Sequence, residues 1–170
     1  VEAIAGEPFG DYLKRAIFEP LGMVDTGFHV PESQAHRVPS LYARTARKEI
    51  RLLDDRSRNR LCREPALQSG GGGLVGTLDD YVRFCSSLTS GGTVDGPRVI
   101  SRPTIELMRT NHLPGQGSLR DFAMPGGYGE VGFDGNGFGL QVAVGLGPAE
   151  TAGVGPAGDF MWGGAASTSF

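Results

Sequence analysis

Apolar side chains recur at helical spacing in three stretches of this chain. Behind Glu7-Pro8, Phe9, Leu13, Ala16 and Ile17 fall on one face with Tyr12 beside them, which predicts a short amphipathic helix from about Pro8 to Ile17, ended by Pro20 and Gly22. Thr77 as N-cap, with Asp80 three positions on, opens a second helix. Its buried side is expected to be Tyr81, Val82, Phe84, Cys85 and Leu88, and Ser90-Gly91-Gly92 stops it. Ser101 with Pro103 opens a third, carrying Ile105, Leu107 and Met108 to about Thr110. Asp25-Thr26-Gly27 reads as a turn and Glu32 to Arg37 as a minor helical turn. Residues 114–136 show no period, and Phe138 to Val144, then Asp159 to Trp162 with Ala165 to Phe170, read as strands. Helices first and strands last, without strand–helix–strand alternation, argue for an α+β fold.

Composition changes this picture in a few places. Glycine supplies 28 of the 170 residues, concentrated between Ser69 and Gly92 and after Gly115, as in long functional loops or in poorly ordered segments. A net charge of -3 gives no broad basic field, so neither nucleic acid nor an anionic membrane is indicated. No apolar run approaches the ~20 residues that span a bilayer. Basic residues crowd Arg44 to Arg63, but Glu49, Asp54 and Asp55 are mixed in and no aromatic lies between Tyr42 and Tyr81. That stretch reads as a solvated loop with a short strand at Ile50, Leu52 and Leu53; an entrance loop for an anionic substrate is the sharper alternative. Cys62 and Cys85 lack disulfide-framework or metal-ligand spacing and read as ordinary thiols. Val1 to Ala5 reads as the last turn of a helix closed by Gly6, and Phe170 stops inside a strand pattern. Both ends are therefore expected to be cuts in a longer chain, which leaves compartment and oligomeric state open.

The residues spell out no complete catalytic centre. There is no Gly-x-Ser-x-Gly elbow and no His-Glu-x-x-His. Neither Lys14 nor Lys48 follows a Ser by three positions, and no tyrosine is followed two positions on by Ser or Asn. His29, His36 and His112 are isolated and near turns, where surface or turn roles are expected. Gly71-x-Gly73-x-x-Gly76 ahead of a helix has dinucleotide-fingerprint spacing, but Glu64 to Ser69 does not read as the buried strand that fingerprint requires. A Gly-rich loop packed against a helix start is the plainer reading. In Phe160-Met161-Trp162-Gly163-Gly164-Ala165 a bulky run stops at a Gly pair beside the sole Trp of the chain, the pattern of a strand that another backbone or a ligand approaches closely.

Four ordered blocks resemble the serine β-lactamase superfamily, which takes in class C-like β-lactamases, β-lactamase-like carboxylesterases and penicillin-binding-protein relatives. They are Ala5 to Phe9, Ile17 to Phe28, Ser69 to Tyr81, and Trp162-Gly163-Gly164-Ala165, and together they span nearly all of the chain. The resemblance implies one β-lactamase-like domain of which residues 1–170 are the second half: 7–112 mostly helical, 113–136 an irregular loop, 137–170 strands of an antiparallel sheet. It implies that Trp162, Gly163 and Gly164 line the substrate on the strand side and that the backbone N–H of Ala165 is an oxyanion donor. A Trp-Gly-Gly strand in place of Lys-Thr-Gly is similar to the esterase-like branch.

By the same resemblance the Ser-x-x-Lys and tyrosine motifs would precede Val1. The full-length protein is then expected to be a serine acyl hydrolase acting on a small-molecule ester or amide without cofactor or metal, and this chain alone to be inactive. A non-catalytic relative that binds peptides or partners in the same cleft is the alternative from a different class. The dinucleotide-binding reading stands third.

Overall fold

The computed structural model describes residues 1–55, 60–124, 134–147, 155–164 and 168–169, the last pair by backbone alone. The chain divides into two compact units, Val1–Val99 and Ile100–Phe170. Helices and small antiparallel sheets make an α+β arrangement, as the order of patterns in the sequence predicts.

In the first unit, α1 (Glu2–Ala5) is closed by Gly6 in a left-handed conformation. The predicted amphipathic helix is present but longer: α2 (Phe9–Leu13) runs through a π-helical turn at Lys14–Phe18 into α3 (Glu19–Leu21). Pro20 therefore lies inside the helical run instead of ending it. Proline supplies no N–H and its ring crowds the preceding turn, and the wider π turn just before it is where the backbone accommodates both. The run ends in a Schellman motif: Gly22 is left-handed at φ 67°, its N–H reaches the Glu19 carbonyl at 3.0 Å and the Met23 N–H reaches that of Phe18 at 2.8 Å. The hydrophobic contact that accompanies this motif is the centre of the core, where Phe18, Leu21 and Met23 are buried with Leu13, Ile17, Phe84, Val94 and Val99 against them.

A 3₁₀ turn at Glu32–Arg37 falls where the minor helical turn is predicted. The basic stretch forms a hairpin of β1 (Leu41–Arg44) and β2 (Ile50–Asp54), in which Tyr42 faces Leu52 and Arg44 faces Ile50. The strand expected at Ile50 to Leu53 is thus found, with a partner that the charged sequence around it conceals. A further 3₁₀ turn, Arg60–Cys62, follows. The next helix, α4 (Leu78–Thr89), starts at Thr77, whose side chain accepts from the Asp80 N–H at 3.3 Å.

Helix α4 buries only part of the expected side, Leu88 with Phe84 partly buried, and turns polar positions inward beside them. Asp80, Ser87 and Leu88 are buried and Phe84 joins the core, whereas Tyr81 is 39% and Val82 53% exposed. Positions 80, 84, 87 and 88 are one helical face; Leu78, Tyr81, Val82 and Cys85 are a second apolar face at the same spacing. The inner stripe contains two polar residues because each has a backbone or turn partner: Ser87 Oγ donates to the Phe84 carbonyl at 2.7 Å, and Asp80 holds the Asp25 turn.

In the second unit, α5 (Arg102–Met108) is capped by Ser101, whose Oγ accepts from the Thr104 N–H at 3.2 Å, and it buries Ile105. Within the stretch expected to be irregular, a 3₁₀ turn at Pro114–Gln116 leads to α6 (Leu119–Phe122), closed by a capping box between Ser118 and Asp121. Strands β3 (Asn136–Phe138), β4 (Ala143–Gly145) and β5 (Phe160–Met161) form one antiparallel sheet in that order. The continuous strand predicted over Phe138 to Val144 is a hairpin instead, turning through Gln141 at φ 69°. Beyond Trp162, β6 (Gly163–Gly164) pairs with β7 (Thr168–Ser169).

Candidate functional site

The Gly-broken strand at the end of the second unit is held from two sides. Arg109, just past α5, donates from Nε to the Gly158 carbonyl at 3.1 Å and lays its guanidinium over the Phe160 ring at 5.8 Å, which fixes the turn that feeds β5. Trp162 meets Phe138 of β3 edge to face, with ring centroids 5.4 Å apart and planes at 68°. The indole is half-buried, Gly163 is buried and Gly164 half-buried. Of the four predicted site residues, Trp162 thus joins β5 to β6, and Gly163 and Gly164 form β6. Ala165 lies outside the described residues.

The sheet behind this segment is anchored by a buried asparagine that sequence reasoning did not single out. Asn111 Oδ1 accepts from the Leu113 N–H at 3.1 Å and the Phe138 N–H at 3.0 Å, and its Nδ2 donates to the Gly117 carbonyl at 2.9 Å. The His112 N–H adds a bond to the Phe138 carbonyl at 2.8 Å. Gly139 then passes so close to the end of α5 that a Cβ would lie 1.9 Å from the Met108 carbonyl oxygen. The Leu140 N–H bonds that same oxygen at 2.9 Å. Only glycine fits there, so Phe138, on which Trp162 rests, has a single seat. No local signal in the sequence separates Asn111 from a surface turn residue; its partners are 2, 6 and 27 positions away.

The Gly-rich loop of the first unit serves packing. Gly76 sits under Thr26, where a Cβ would be 2.9 Å from Thr26 Oγ1. Val75 and Gly27 exchange backbone hydrogen bonds of 2.8 and 2.9 Å. The buried Asp80 carboxylate accepts from the Asp25 N–H and the Thr26 hydroxyl, each at 2.8 Å, so the turn, the loop and α4 are one knot. Residues 64–74 carry no strand, and the strand–turn–helix context of a dinucleotide fingerprint is missing around Gly71, Gly73 and Gly76.

Among the described residues the ionisable groups offer no activated nucleophile. Burial pushes the Tyr81 phenol and the Cys85 thiol up, which disfavours the anion each would need to attack or to take a proton. His36 Nδ1 contacts the Ser33 carbonyl at 3.1 Å and His112 Nε2 that of Leu107 at 2.8 Å, while His29 is exposed. Turn and surface roles account for all three. Arg37 clasps Asp25 with two hydrogen bonds of 2.8 and 2.6 Å, which hold the Asp25 carboxyl below its ordinary range and raise the guanidinium. Among the described residues no group of three His, Cys, Asp or Glu is placed to hold a metal, and no helix is long and apolar enough to cross a membrane.

Comparison with known proteins gives this geometry its context. The family model described as Beta-lactamase matches residues 1–169. Protein Rv1367c of Mycobacterium tuberculosis (strain ATCC 25618 / H37Rv) is 34% identical over 171 residues, covering 99% of this chain and 41% of that protein. The chain thus spans about two fifths of the length of this relative. Among solved structures, EstCE1, described as a hydrolase with promiscuous acyltransferase activity, matches at a TM-score of 0.72 and 27% identity, over 96% of this chain and 42% of its own. Simvastatin synthase (LovD) from Aspergillus terreus matches at a TM-score of 0.75 and 22% identity, over 96% and 41%, and shows the likeness of fold. The architecture is that of part of a β-lactamase/transpeptidase-like α+β fold.

Proposed function

Because this chain belongs to the β-lactamase family, we propose that it forms the strand-side wall of a serine acyl-transfer site, whose nucleophile and base lie outside these 170 residues. The fold is serine-hydrolase-like. The observation that carries the finer reading is the Trp162-Gly163-Gly164 segment: a Trp braced on Phe138, followed by two residues without side chains. A strand of that kind lets a scissile carbonyl lie flat against backbone while an aromatic wall flanks the acyl or alcohol group.

In this reading a serine Oγ from elsewhere in the full-length protein attacks the ester carbonyl carbon, and its proton passes through the base to the departing alcohol. Water then attacks the acyl-enzyme and releases the acid. The Ala165 N–H donates to the oxygen on which negative charge develops, a contribution of about 2.7–4 kcal/mol to the transition state. The described chain supplies binding and orientation, and without a nucleophile those do not start the reaction. A Trp-Gly-Gly strand in place of Lys-Thr-Gly favours esters over β-lactams as substrates, and the likeness to EstCE1, described as a hydrolase with promiscuous acyltransferase activity, supports acyl transfer. Residues 7–112 are then mostly the helical part of the domain and 137–170 its strand part.

The experiment compares p-nitrophenyl butyrate and a chromogenic cephalosporin as substrates for the full-length protein and for this chain. The full-length protein is expected to turn over the ester, to gain the mass of one butyryl group when quenched during turnover, and to prefer the ester; the chain alone is expected to be inactive. Ester turnover by the chain alone overturns the placement of the nucleophile. A full-length protein with neither turnover nor acylation points instead to a non-catalytic relative that binds partners in the same cleft. Gly164→Val in the full-length protein should lower kcat roughly 100-fold, because it displaces the carbonyl from its backbone seat, while the thermal midpoint stays near that of the parent. An unchanged kcat removes this strand from the site.

A further inference from the structure

The first unit contains a cavity of about 770 Å³. Small-molecule sites fall between about 300 and 1,000 Å³ and combine an apolar lining with a few polar groups. Here the apolar lining includes Val30, Leu41, Leu61, Leu74 and Leu78. Leu41 is 46%, Leu74 47% and Leu78 77% exposed, so the unit does not cover these side chains itself.

Among the described residues the charged lining includes Asp25, Asp54 and Asp55 with Arg37 and Arg60. Arg37 is committed, with two hydrogen bonds to Asp25 and one to Gln34 at 2.9 Å. Asp55 has an interaction of its own. Asp54 differs: its Oδ1 is buried and has no hydrogen-bond partner among the described residues. Arg60 is exposed and forms no ion pair with it. Asp54 ends β2 opposite Leu41 of β1, and both line the cavity, so one acceptor in want of a donor is presented beside an uncovered aliphatic wall. A buried acceptor without a partner favours whatever brings a donor to it, and a carboxylate favours a cation above a neutral donor.

We propose that this cavity binds an apolar body carrying one cationic N–H group, an alkyl- or aralkylammonium, with Asp54 as its counter-ion. The apolar body lies on Leu61, Leu74 and Leu78 and the ammonium turns toward the end of β2. An anionic ligand of the same shape brings like charge to Asp54 and leaves its Oδ1 without a donor, so it binds more weakly. The proposal does not depend on the acyl-transfer reading, since none of its residues is among Trp162, Gly163, Gly164 and Ala165.

Three probes that share one body and differ in one group test it: 4-phenylbutylammonium, 4-phenylbutanol and 4-phenylbutanoate, titrated into the purified full-length protein and followed by isothermal titration calorimetry. The ammonium is expected to saturate and to bind at least about tenfold more tightly than the alcohol, with the carboxylate weakest. Asp54→Asn should bring the ammonium down to the affinity of the alcohol, and Leu78→Gln, at an exposed position, should weaken ammonium and alcohol alike. Equal binding of ammonium and alcohol by the parent protein overturns the proposal, as does an ammonium preference that survives in Asp54→Asn. Absence of saturation by the ammonium also overturns it, and the parent measurements decide even where a variant does not fold.

Discussion

Asp80 and Asp25 show how single side chains fix the first unit. Asp80 is 4% exposed and holds two donors of the turn above it. Hydrogen bonds to a charged group contribute about 1.5–3 kcal/mol, and removing the acceptor also strands its donors, so Asp80→Ala should lower the unfolding free energy by about 2–3 kcal/mol in urea titrations. Asp25 acts through charge. Its carboxyl is held below the ordinary range by the Arg37 hydrogen bonds, so the unfolded chain takes up the proton first as pH falls. The stability this pair adds is complete above the unfolded carboxylate value of about 3.9 and is lost as pH drops through the lower folded one. The difference in urea midpoint between the parent and Asp25→Asn should hold steady from pH 7 to about pH 4 and close below that. A difference that closes between pH 7 and 5 would assign it to another group. Both carboxylates were visible in the sequence, Asp80 only as a capping partner and Asp25 only as a turn former. Their roles depend on Thr26 and Arg37, brought in from 54 and 12 positions away.

Among the elements, α4 separates what periodicity can tell from what it cannot. The helix, its Thr77 cap and its stop are legible because those signals are local. Which apolar stripe turns inward is not, because two stripes with the same spacing share the helix and the choice falls to distant residues that need Asp80 and Arg83. Arg83 Nε donates to the Leu21 carbonyl at the end of α3 and ties α4 to the Schellman motif through its inner face. Substitutions should therefore divide by face. Leu88→Ala, at 7% exposure, should cost about 2–5 kcal/mol, while Val82→Gln should change stability by no more than about 0.5 kcal/mol in the same denaturation assay. Similar costs on both faces would mean that the outer stripe is also packed. The hairpin between β3 and β4 was hidden for the opposite reason. Phe138 to Val144 alternates like a strand, and the turn inside it is forced by the approach of Gly139 to Met108. The capping box that starts α6 was legible in principle, as a Ser with an Asp three positions later, amid glycines and prolines that suggested only loop.

At the scale of the whole molecule, the α+β class and the β-lactamase kinship were readable because both rest on the order of segments along the chain. The Trp162-Gly163-Gly164 strand was readable because its residues are contiguous; the cavity was not, because separate segments between Asp25 and Leu78 line it and none carries a motif. The knot of Asp80, the Asp25 turn and the Gly-rich loop also sets a timescale. The amide hydrogens of Asp25, Gly27 and Val75 are all engaged in it, to Asp80 and to each other. An amide exchanges with solvent deuterium only when its bond opens, and amides that open in one event share one protection factor. Those three should therefore exchange as a set, and Asp80→Ala should speed all three by the same factor, including Gly27 and Val75, whose own bonds are to backbone. Their common rate would then serve as a clock for the opening of the first unit, read at three amides and set by one carboxylate.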